Sequence, residues 1–231
     1  MAAIRVTRAA GLDLGQMQDF SALAVVDRID DETEAFPQYQ CRFLKRWPLQ
    51  TPYPRIAEEV RRIMKAEIMR DALLAVDQTG VGAPVVDLIR EYTDVALVPI
   101  HITGGIQAHY DSEARRWTVP KKDLVGTLQV AYNSRRIKVI PCPEAQILVR
   151  ELKNFKYRLH AGAAGGMQFD TWRDGQHDDL VLALALACWQ VNRMSPLQET
   201  TEDNRSLVSQ YMPRKELEYM EGTIPGKPPA W

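Results

Sequence analysis

Apolar residues recur in the first part of the chain in three short runs that polar residues separate. The runs cover residues 6–14, 21–29 and 39–47, and the acidic stretch 30–34 lies between the last two. Apolar runs of this length, bounded by polar turns, are typical of β-strands. The pattern therefore predicts three consecutive strands, with a hairpin turn between the second and the third.

Helical and strand-like patterns alternate after these runs. Aliphatic residues recur at helical spacing between residues 56 and 68 in a charged background, which predicts an amphipathic helix beginning near Pro54. The rest of the pattern predicts strands at 73–77, 96–102 and 136–140, helices at 83–92, 121–132, 144–154 and 178–191, and a Gly-rich hairpin at 155–172.

The order of these elements predicts the fold class. Three antiparallel strands followed by alternating helices and strands are typical of the α/β ribonuclease H-like fold, a central mixed sheet of five or more strands flanked by helices. We expect one such domain at residues 1–194. Residues 195–231 carry five prolines and little apolar periodicity, which predicts a Pro-rich tail that is extended or disordered in isolation.

The composition excludes several classes of protein. The chain of 231 residues is 45% hydrophobic and 26% charged, with a formal net charge of −1, as in ordinary globular proteins that bury a core. No apolar run is long enough to span a bilayer, so we expect no membrane partner. The three cysteines are scattered and lack Cys-x-x-Cys spacing, so we expect neither disulfides nor zinc, and a cytosolic location.

The charges are unevenly distributed along the chain. Eleven Lys and Arg and three acidic residues lie between residues 115 and 160, a local net charge of +8, which leaves about −9 for the remainder. Clustered basic side chains are typical of polyanion-binding surfaces, because phosphate contacts release counterions. A solvated helix face is the simpler interpretation of a charge run in isolation. The candidate DNA contacts are Arg115, Arg116, Lys122, Lys153, Lys156 and Arg158.

Acidic residues interrupt the apolar pattern at three places. Asp13 lies within the first predicted strand, Asp77 ends the fourth, and Asp178 and Asp179 open the last helix. Asp77 has a simple interpretation as a turn residue, and the pair as a helix cap. Asp13 is harder to explain, because an ionised carboxylate in an apolar strand is costly unless it is paired or binds a metal.

The predicted fold brings these acidic residues together. The fourth strand lies directly beside the first, and adjacent strands are about 4.8 Å apart, so Asp13 and Asp77 are expected to share one metal. Oxygen-only ligands favour Mg²⁺ or Mn²⁺ over zinc. Two such ions, about 3.5 to 4 Å apart, activate water and stabilise the leaving oxygen in phosphodiester cleavage.

Three motifs in order, with a fourth segment between the second and third, resemble a known family. They are Gly11-Leu12-Asp13-Leu14-Gly15 with Asp19-Phe20-Ser21-Ala22, then Val76-Asp77-Gln78-Thr79-Gly80-Val81-Gly82, Val119-Pro120-Lys121-Lys122-Asp123-Leu124, and His177-Asp178-Asp179-Leu180-Val181. Together they resemble the nuclease domain of the large terminase subunit of tailed bacteriophages, over about residues 5–193.

The resemblance implies a function and a set of partners. It implies a metal-dependent endonuclease that cuts concatemeric viral DNA during genome packaging, in the cytoplasm of the infected bacterial host. The implied partners are double-stranded DNA, a packaging ATPase, the small terminase subunit and the portal. The implied catalytic metal ligands are Asp13, Asp77, Asp178 and Asp179.

Three further residues are secondary candidates. Asp19 is a candidate second-metal residue, His177 a candidate to orient a carboxylate or phosphate, and Lys121 a candidate phosphate contact. Each also has a structural interpretation, as a turn residue, a charge partner of the neighbouring acids and a solvated lysine at a helix start, respectively.

Other classes of function stay open. The chain lacks the Gly-x-x-x-x-Gly-Lys-Ser/Thr phosphate loop, so we expect ATP-driven translocation to reside elsewhere, in a domain excised from this chain or encoded separately. A Holliday-junction resolvase would use the same metal chemistry. An actin-like or sugar-kinase phosphotransferase fragment is less favoured, because such proteins need two halves of this fold. In a non-enzymatic binding module, the acidic residues would be merely structural.

Overall fold

The computed structural model describes residues 4–15, 19–80, 82–93, 95–154, 159–161, 167–169 and 178–194. Three of the predicted site residues, His177, Lys156 and Arg158, lie outside these ranges, as does the predicted tail at 195–231.

The described chain alternates between strands and helices, as the sequence predicts. The strands are β1 (Ile4–Asp13), β2 (Ala22–Asp31), β3 (Gln38–Arg46), β4 (Leu73–Asp77), β5 (Leu97–Thr103), β6 (His109–Asp111), β7 (Arg116–Pro120), β8 (Ile137–Val139), β9 (Leu159–Ala161) and β10 (Met167–Phe169). The helices are α1 (Tyr53–Met64), α2 (Gly82–Thr93), α3 (Lys121–Asn133), α4 (Pro143–Asn154) and α5 (Asp179–Val191), with a short 3₁₀ turn at Glu67–Met69.

Eight strands form one mixed sheet in the order β6-β7-β5-β4-β1-β2-β3-β8. β1, β2 and β3 pair antiparallel, and β1, β4, β5 and β7 pair parallel in succession. β4 lies beside β1, so the predicted ribonuclease H-like α/β fold is confirmed. β9 and β10 pair antiparallel, which confirms a hairpin within the predicted Gly-rich segment.

The sequence pattern missed two strands. β6 and β7 are three and five residues long and form an antiparallel hairpin at one margin of the sheet. β6 is the edge strand, and its Tyr110 is 52% exposed. β7 buries only its last two residues. Neither strand therefore has the continuous apolar run that is typical of a strand buried on both faces. The hairpin extends the sheet beyond β5, in a segment for which the sequence analysis predicts no strand.

Helices cover both faces of the sheet. Residues Ala10 and Leu12 of β1 face the core formed with α1 and α2, whereas Ala9 faces the core formed with α3, α4 and α5. α5 is buried on nearly all sides, because it packs against β1 and β2 on one side and α3 on the other. Among the residues that the structure describes, no helix has the length and apolarity needed to cross a membrane.

A glycine permits the close contact between β1 and α5. A Cβ atom added at Gly11 would lie 2.1 Å from the carbonyl oxygen of Ala183 and 2.6 Å from the backbone nitrogen of Ala187. Both atoms belong to the backbone of α5, which cannot rotate away as a side chain does. The absence of a side chain at Gly11 therefore sets the distance between the helix and the sheet.

We expect Gly11→Ala to lower the free energy of unfolding by roughly 1 to 3 kcal/mol or more, because the added methyl group must displace α5. Gly126→Ala in α3 is the matched control, since a Cβ there meets no atom within 4 Å. The control should raise stability by about 0.5 to 1 kcal/mol, as alanine is the better helix former. Urea denaturation measures both values, and equal effects of the two substitutions would contradict this account of the packing.

Candidate active site

The register of β1 and β4 places two of the predicted acidic residues side by side. Leu12 pairs with Val76 in parallel register, and Asp13 and Asp77 are the next residue on each strand. Side chains alternate between the faces of a sheet, so both aspartates share the face of Gly11 and Ala75, which α5 covers. Asp13 is only 9% exposed, whereas Asp77 is partly exposed.

The N-terminus of α5 brings the second pair of acidic residues to the same place. Asp178 immediately precedes the helix and Asp179 is its first residue. Asp179 is buried and Asp178 is partly buried. Because α5 crosses β1 at Gly11, its N-terminal end lies close to the carboxyl end of that strand, where Asp13 lies.

The electrostatics of Asp13 reflect these neighbours. Burial raises the pKa of Asp13 well above its usual value, and the negative charges of Asp77, Asp179, Asp178 and Asp19 raise it further. Burial raises the pKa of Asp178 to about 7, with Lys121 opposing the rise and Asp179 adding to it. The carboxylates thus repel one another in a region with little solvent.

Asp77 is held in a tight turn. Its Oδ1 accepts a hydrogen bond from the backbone N–H of Thr79 at 2.8 Å. Burial raises the pKa of Asp77, while the hydrogen bonds from Thr79 and the electrostatic interactions with His101 and Lys121 lower it. His101 of β5 is a neighbour that the sequence analysis did not identify.

Lys121 supplies positive charge to the cluster. It is the first residue of α3, which follows directly from the carboxyl end of β7. Burial lowers the pKa of Lys121, whereas Asp178, Asp77 and Asp13 raise it. Those interactions place the ammonium group within electrostatic reach of three of the four predicted ligands.

Asp19 also belongs to this region. It is exposed and lies just before Phe20 and the start of β2. Its charge contributes to the raised pKa values of Asp13 and Asp178. The structure thus brings Asp13, Asp19, Asp77 and the Asp178–Asp179 pair into one electrostatically coupled group.

Asp178 occupies the N-cap position of α5 without capping the helix. Its side chain makes no hydrogen bond to the first turn. Instead, Glu151 of α4 accepts hydrogen bonds at Oε2 from the backbone N–H groups of Leu180, at 3.0 Å, and Val181, at 3.2 Å. The simple interpretation of Asp178 as an ordinary capping side chain is therefore wrong.

Sequence reasoning missed Glu151, although the sequence carries a signal for it. Glu151 follows Ala145 and Leu148 at three-residue spacing, and all three are buried. An acidic residue on the apolar face of a helix requires a hydrogen-bond partner. The pKa of Glu151 is raised to about 7, mainly by burial. The hydrogen bond from Val181 opposes part of this rise.

The donor set suits a hard divalent cation, but the side chains do not form a closed coordination shell. In the described parts of the chain, no group of three or more His, Cys, Asp or Glu side chains is arranged closely enough to hold an ion. The oxygens of Asp13, Asp77, Asp178 and Asp179 are the ligand type that Mg²⁺ and Mn²⁺ prefer. A cation would also offset the repulsion that raises the pKa of Asp13.

The four predicted DNA-binding residues that the structure describes fall into two groups. Lys122 follows Lys121 as the second residue of α3, and Lys153 is exposed near the end of α4, two residues beyond Glu151. Arg115 and Arg116 lie at the opposite end of β7 from Lys121, and the four steps of the strand from Arg116 to Pro120 alone span about 13 Å. Lys122 is thus next in sequence to Lys121, which interacts with the acidic cluster, whereas Arg115 and Arg116 lie at the other end of β7.

Comparisons with known proteins give a structural match only. No family model and no curated protein matches the chain. Among solved structures, it is similar to the Mn-soaked human cytomegalovirus terminase nuclease domain, with 14% identity, a TM-score of 0.49, and coverage of 80% of this chain and 83% of that chain. The Mn-soaked, inhibitor-bound form gives 14% identity, a TM-score of 0.48, and coverage of 80% and 84%. The fold assignment rests on the strand order described above.

The raised pKa values predict how the stability of the metal-free protein depends on pH. A carboxyl group whose pKa rises on folding binds more protons in the folded state, so the free energy of unfolding decreases as pH rises from about 4, its unfolded pKa, to its folded pKa. That upper limit is about 7 for Asp178 and Glu151.

We therefore expect Asp178→Asn to melt at a higher temperature than the wild type in EDTA, with a difference that grows between about pH 5 and pH 7.5. Mn²⁺ should raise the melting temperature of the wild type more at the higher pH, because it competes with protons for the carboxylates. Scanning calorimetry measures both effects. A difference that shrinks as pH rises would contradict the proposed repulsion.

Proposed function

We propose that this chain is a metal-dependent nuclease that hydrolyses phosphodiester bonds in DNA. The observation that carries the proposal is the environment of Asp13, a largely buried carboxylate near four other carboxylates, those of Asp77, Asp178, Asp179 and Asp19, and one basic group, Lys121. A purely structural role would be expected to balance such carboxylates with matching basic partners, whereas here a single lysine is shared by Asp13, Asp77 and Asp178. The cluster supports a cation-binding role instead.

The residues of the site have separate roles in this proposal. Asp13, Asp77, Asp178 and Asp179 would hold one or two Mg²⁺ or Mn²⁺ ions, which when bound activate water and stabilise the leaving oxygen. Lys121 attracts the phosphate and partly neutralises its charge. The Thr79 amide fixes the orientation of the Asp77 carboxylate by its hydrogen bond at Oδ1.

We further propose that the substrate is concatemeric viral DNA and that the reaction serves genome packaging in an infected bacterial cell. The support is the sequence resemblance to the large terminase subunit, carried by motifs around Asp13, Asp77 and Asp178. The packaging ATPase, small terminase subunit and portal are the corresponding proposed partners. A resolvase would share this chemistry but would prefer branched DNA.

Plasmid digestion tests the activity directly. We expect nicking and linearisation in Mn²⁺ or Mg²⁺ and none in EDTA, and a decrease of more than about 100-fold in Asp13→Asn and Asp77→Asn, because each removes a metal ligand. Asp71→Asn is the matched control, an exposed aspartate at the opposite end of β4. Full activity of Asp77→Asn with unchanged melting would refute the assignment, and strong inhibition by a competing four-way junction would favour a resolvase.

DNA affinity should depend steeply on salt. We expect each phosphate contact to contribute about −0.9 to the slope of log affinity against log salt concentration. Lys122→Ala and Lys153→Ala should therefore each reduce the magnitude of that slope by about 0.9 without changing Mn²⁺ affinity. The same substitutions at Arg115 and Arg116 measure how far the contact extends along β7. Fluorescence anisotropy with a labelled duplex in Ca²⁺ measures the affinity, and a slope near zero for the wild type would contradict the proposed surface.

A further inference from the structure

Glu151 is a buried carboxylate to which the proposed function gives no role. It lies on α4 and is 7% exposed. Its Oε2 accepts the backbone N–H groups of Leu180 and Val181, the second and third residues of α5. These are the amides that the side chain at the N-cap position of a helix normally accepts. Glu151 therefore caps α5 from another helix.

This arrangement changes what Asp178 can do. Aspartate is among the best N-cap residues, and Asp178 occupies that position in α5. Its side chain nevertheless makes no hydrogen bond to the first turn, whose amides are bonded to Glu151. The Asp178 carboxylate instead interacts electrostatically with Lys121, Asp179 and Asp19. Capping by Glu151 thus leaves Asp178 available to the acidic cluster.

Arg46 connects Glu151 to the rest of the site. Its Nη1 lies 3.5 Å from Oε1 of Glu151, and its Nε lies 3.8 Å from Oδ2 of Asp179. The guanidinium carbon also lies 3.5 Å from the centre of the Phe20 ring, next to Asp19 in the chain. The side chain is 14% exposed. One arginine therefore contacts α4, α5 and the segment before β2.

The sheet places Arg46 where these contacts are possible. Ala22 pairs with Asp13 on one side and with Arg46 on the other, so the three residues lie in one row on the face that α5 covers. Ala22 lies between the other two, so the backbones of Arg46 and Asp13 are two strand spacings apart, about 9.6 Å. Arg46 is therefore close to the α5 end of the cluster and farther from its centre at Asp13.

We propose that Glu151 and Arg46 are positioning residues for the acidic pair at the start of α5. Glu151 replaces Asp178 as the helix cap, so that Asp178 stays available to bind a cation. Arg46 holds Glu151, Asp179 and Phe20 in fixed relative positions. This inference rests on the proposed metal-dependent function, and it specifies how the chain keeps two of the four carboxylates available as ligands.

The substitution Glu151→Ala separates this role from a merely structural one. Without Glu151, the Asp178 side chain can accept the amides of Leu180 and Val181 and become an ordinary cap, so α5 stays capped and cation binding suffers. We expect Mn²⁺ affinity, measured by isothermal titration calorimetry on the full chain, to fall about 10- to 100-fold. Cleavage should recover in part as the Mn²⁺ concentration is raised.

Two conservative variants test the geometry and remain informative if Glu151→Ala does not fold. Glu151→Gln keeps an oxygen that accepts the two amides, so its Mn²⁺ affinity should stay within about threefold of the wild type. Arg46→Lys keeps the charge but loses the planar guanidinium group, and we expect a fall of about tenfold.

Two controls separate metal binding from stability. Glu58→Ala removes an exposed carboxylate from α1, on the other face of the sheet, and should leave Mn²⁺ affinity and melting unchanged. Asp27→Asn weakens a buried ion pair with Arg8 and Arg42 and should lower the melting temperature without changing Mn²⁺ affinity.

The outcomes distinguish this inference from the proposed function. Wild-type Mn²⁺ affinity in Glu151→Ala, with a lowered melting temperature, would show that Glu151 is structural and would overturn the inference alone. An affinity in Glu151→Gln as low as in Glu151→Ala would also overturn it. A wild-type chain that binds Mn²⁺ but cleaves no DNA would overturn the proposed function and leave the positioning test intact. A wild-type chain that binds no Mn²⁺ would overturn both.

Discussion

Helix α5 can carry two acidic residues to Asp13 only because Gly11 has no side chain. Backbone atoms of Ala183 and Ala187 occupy the space where a Cβ of residue 11 would lie. The helix is therefore closer to β1 than the side chains of two ordinary apolar residues would allow. Because Gly11 and Asp13 share one face of the strand, the same close approach brings the start of α5 to the Asp13 carboxylate.

Two buried aspartates on neighbouring strands, Asp27 and Asp13, have opposite electrostatic surroundings. Asp27 of β2 is fully buried and accepts hydrogen bonds from Arg8 at 2.6 and 2.8 Å and from Arg42 at 3.0 Å. Asp13 of β1 has four acidic residues and one lysine, Lys121, among its charged neighbours. Asp27 faces α1 and α2, and Asp13 faces α5. The negative charge of Asp27 is compensated by two arginines, whereas the acidic residues around Asp13 outnumber the basic ones, which is the imbalance that the proposed cation would offset.

Local pattern was sufficient for the elements that bury a regular apolar face. The strands β1 to β5 and the helices α1 to α5 carry strong apolar periodicity, so the element order and the adjacency of Asp13 and Asp77 follow from the sequence. β6 and β7 lack that signal because they form a short hairpin at the margin of the sheet.

The contacts of Arg46 and Glu151 could not be predicted in the same way. Arg46 and Glu151 are 105 residues apart in the sequence, and Glu151 and Leu180 are 29 apart. Hydrophobic periodicity reports which side of an element is buried, but it does not report which distant polar groups meet there. The sequence could have flagged Glu151 as a buried acid without naming its partners.

Because the site is assembled from distant segments, its carboxylates come together only when the chain folds. Asp13 and Asp77 come from two strands, Asp178 and Asp179 from the start of α5, and their support from α4 and β3. In the unfolded chain these acids are solvated and far apart, so folding without a cation must overcome their mutual repulsion. The proposed cation, by binding only the folded arrangement, would offset that cost by mass action. The cluster therefore lowers the stability of the metal-free chain, and under the proposed function metal binding and folding would be thermodynamically linked.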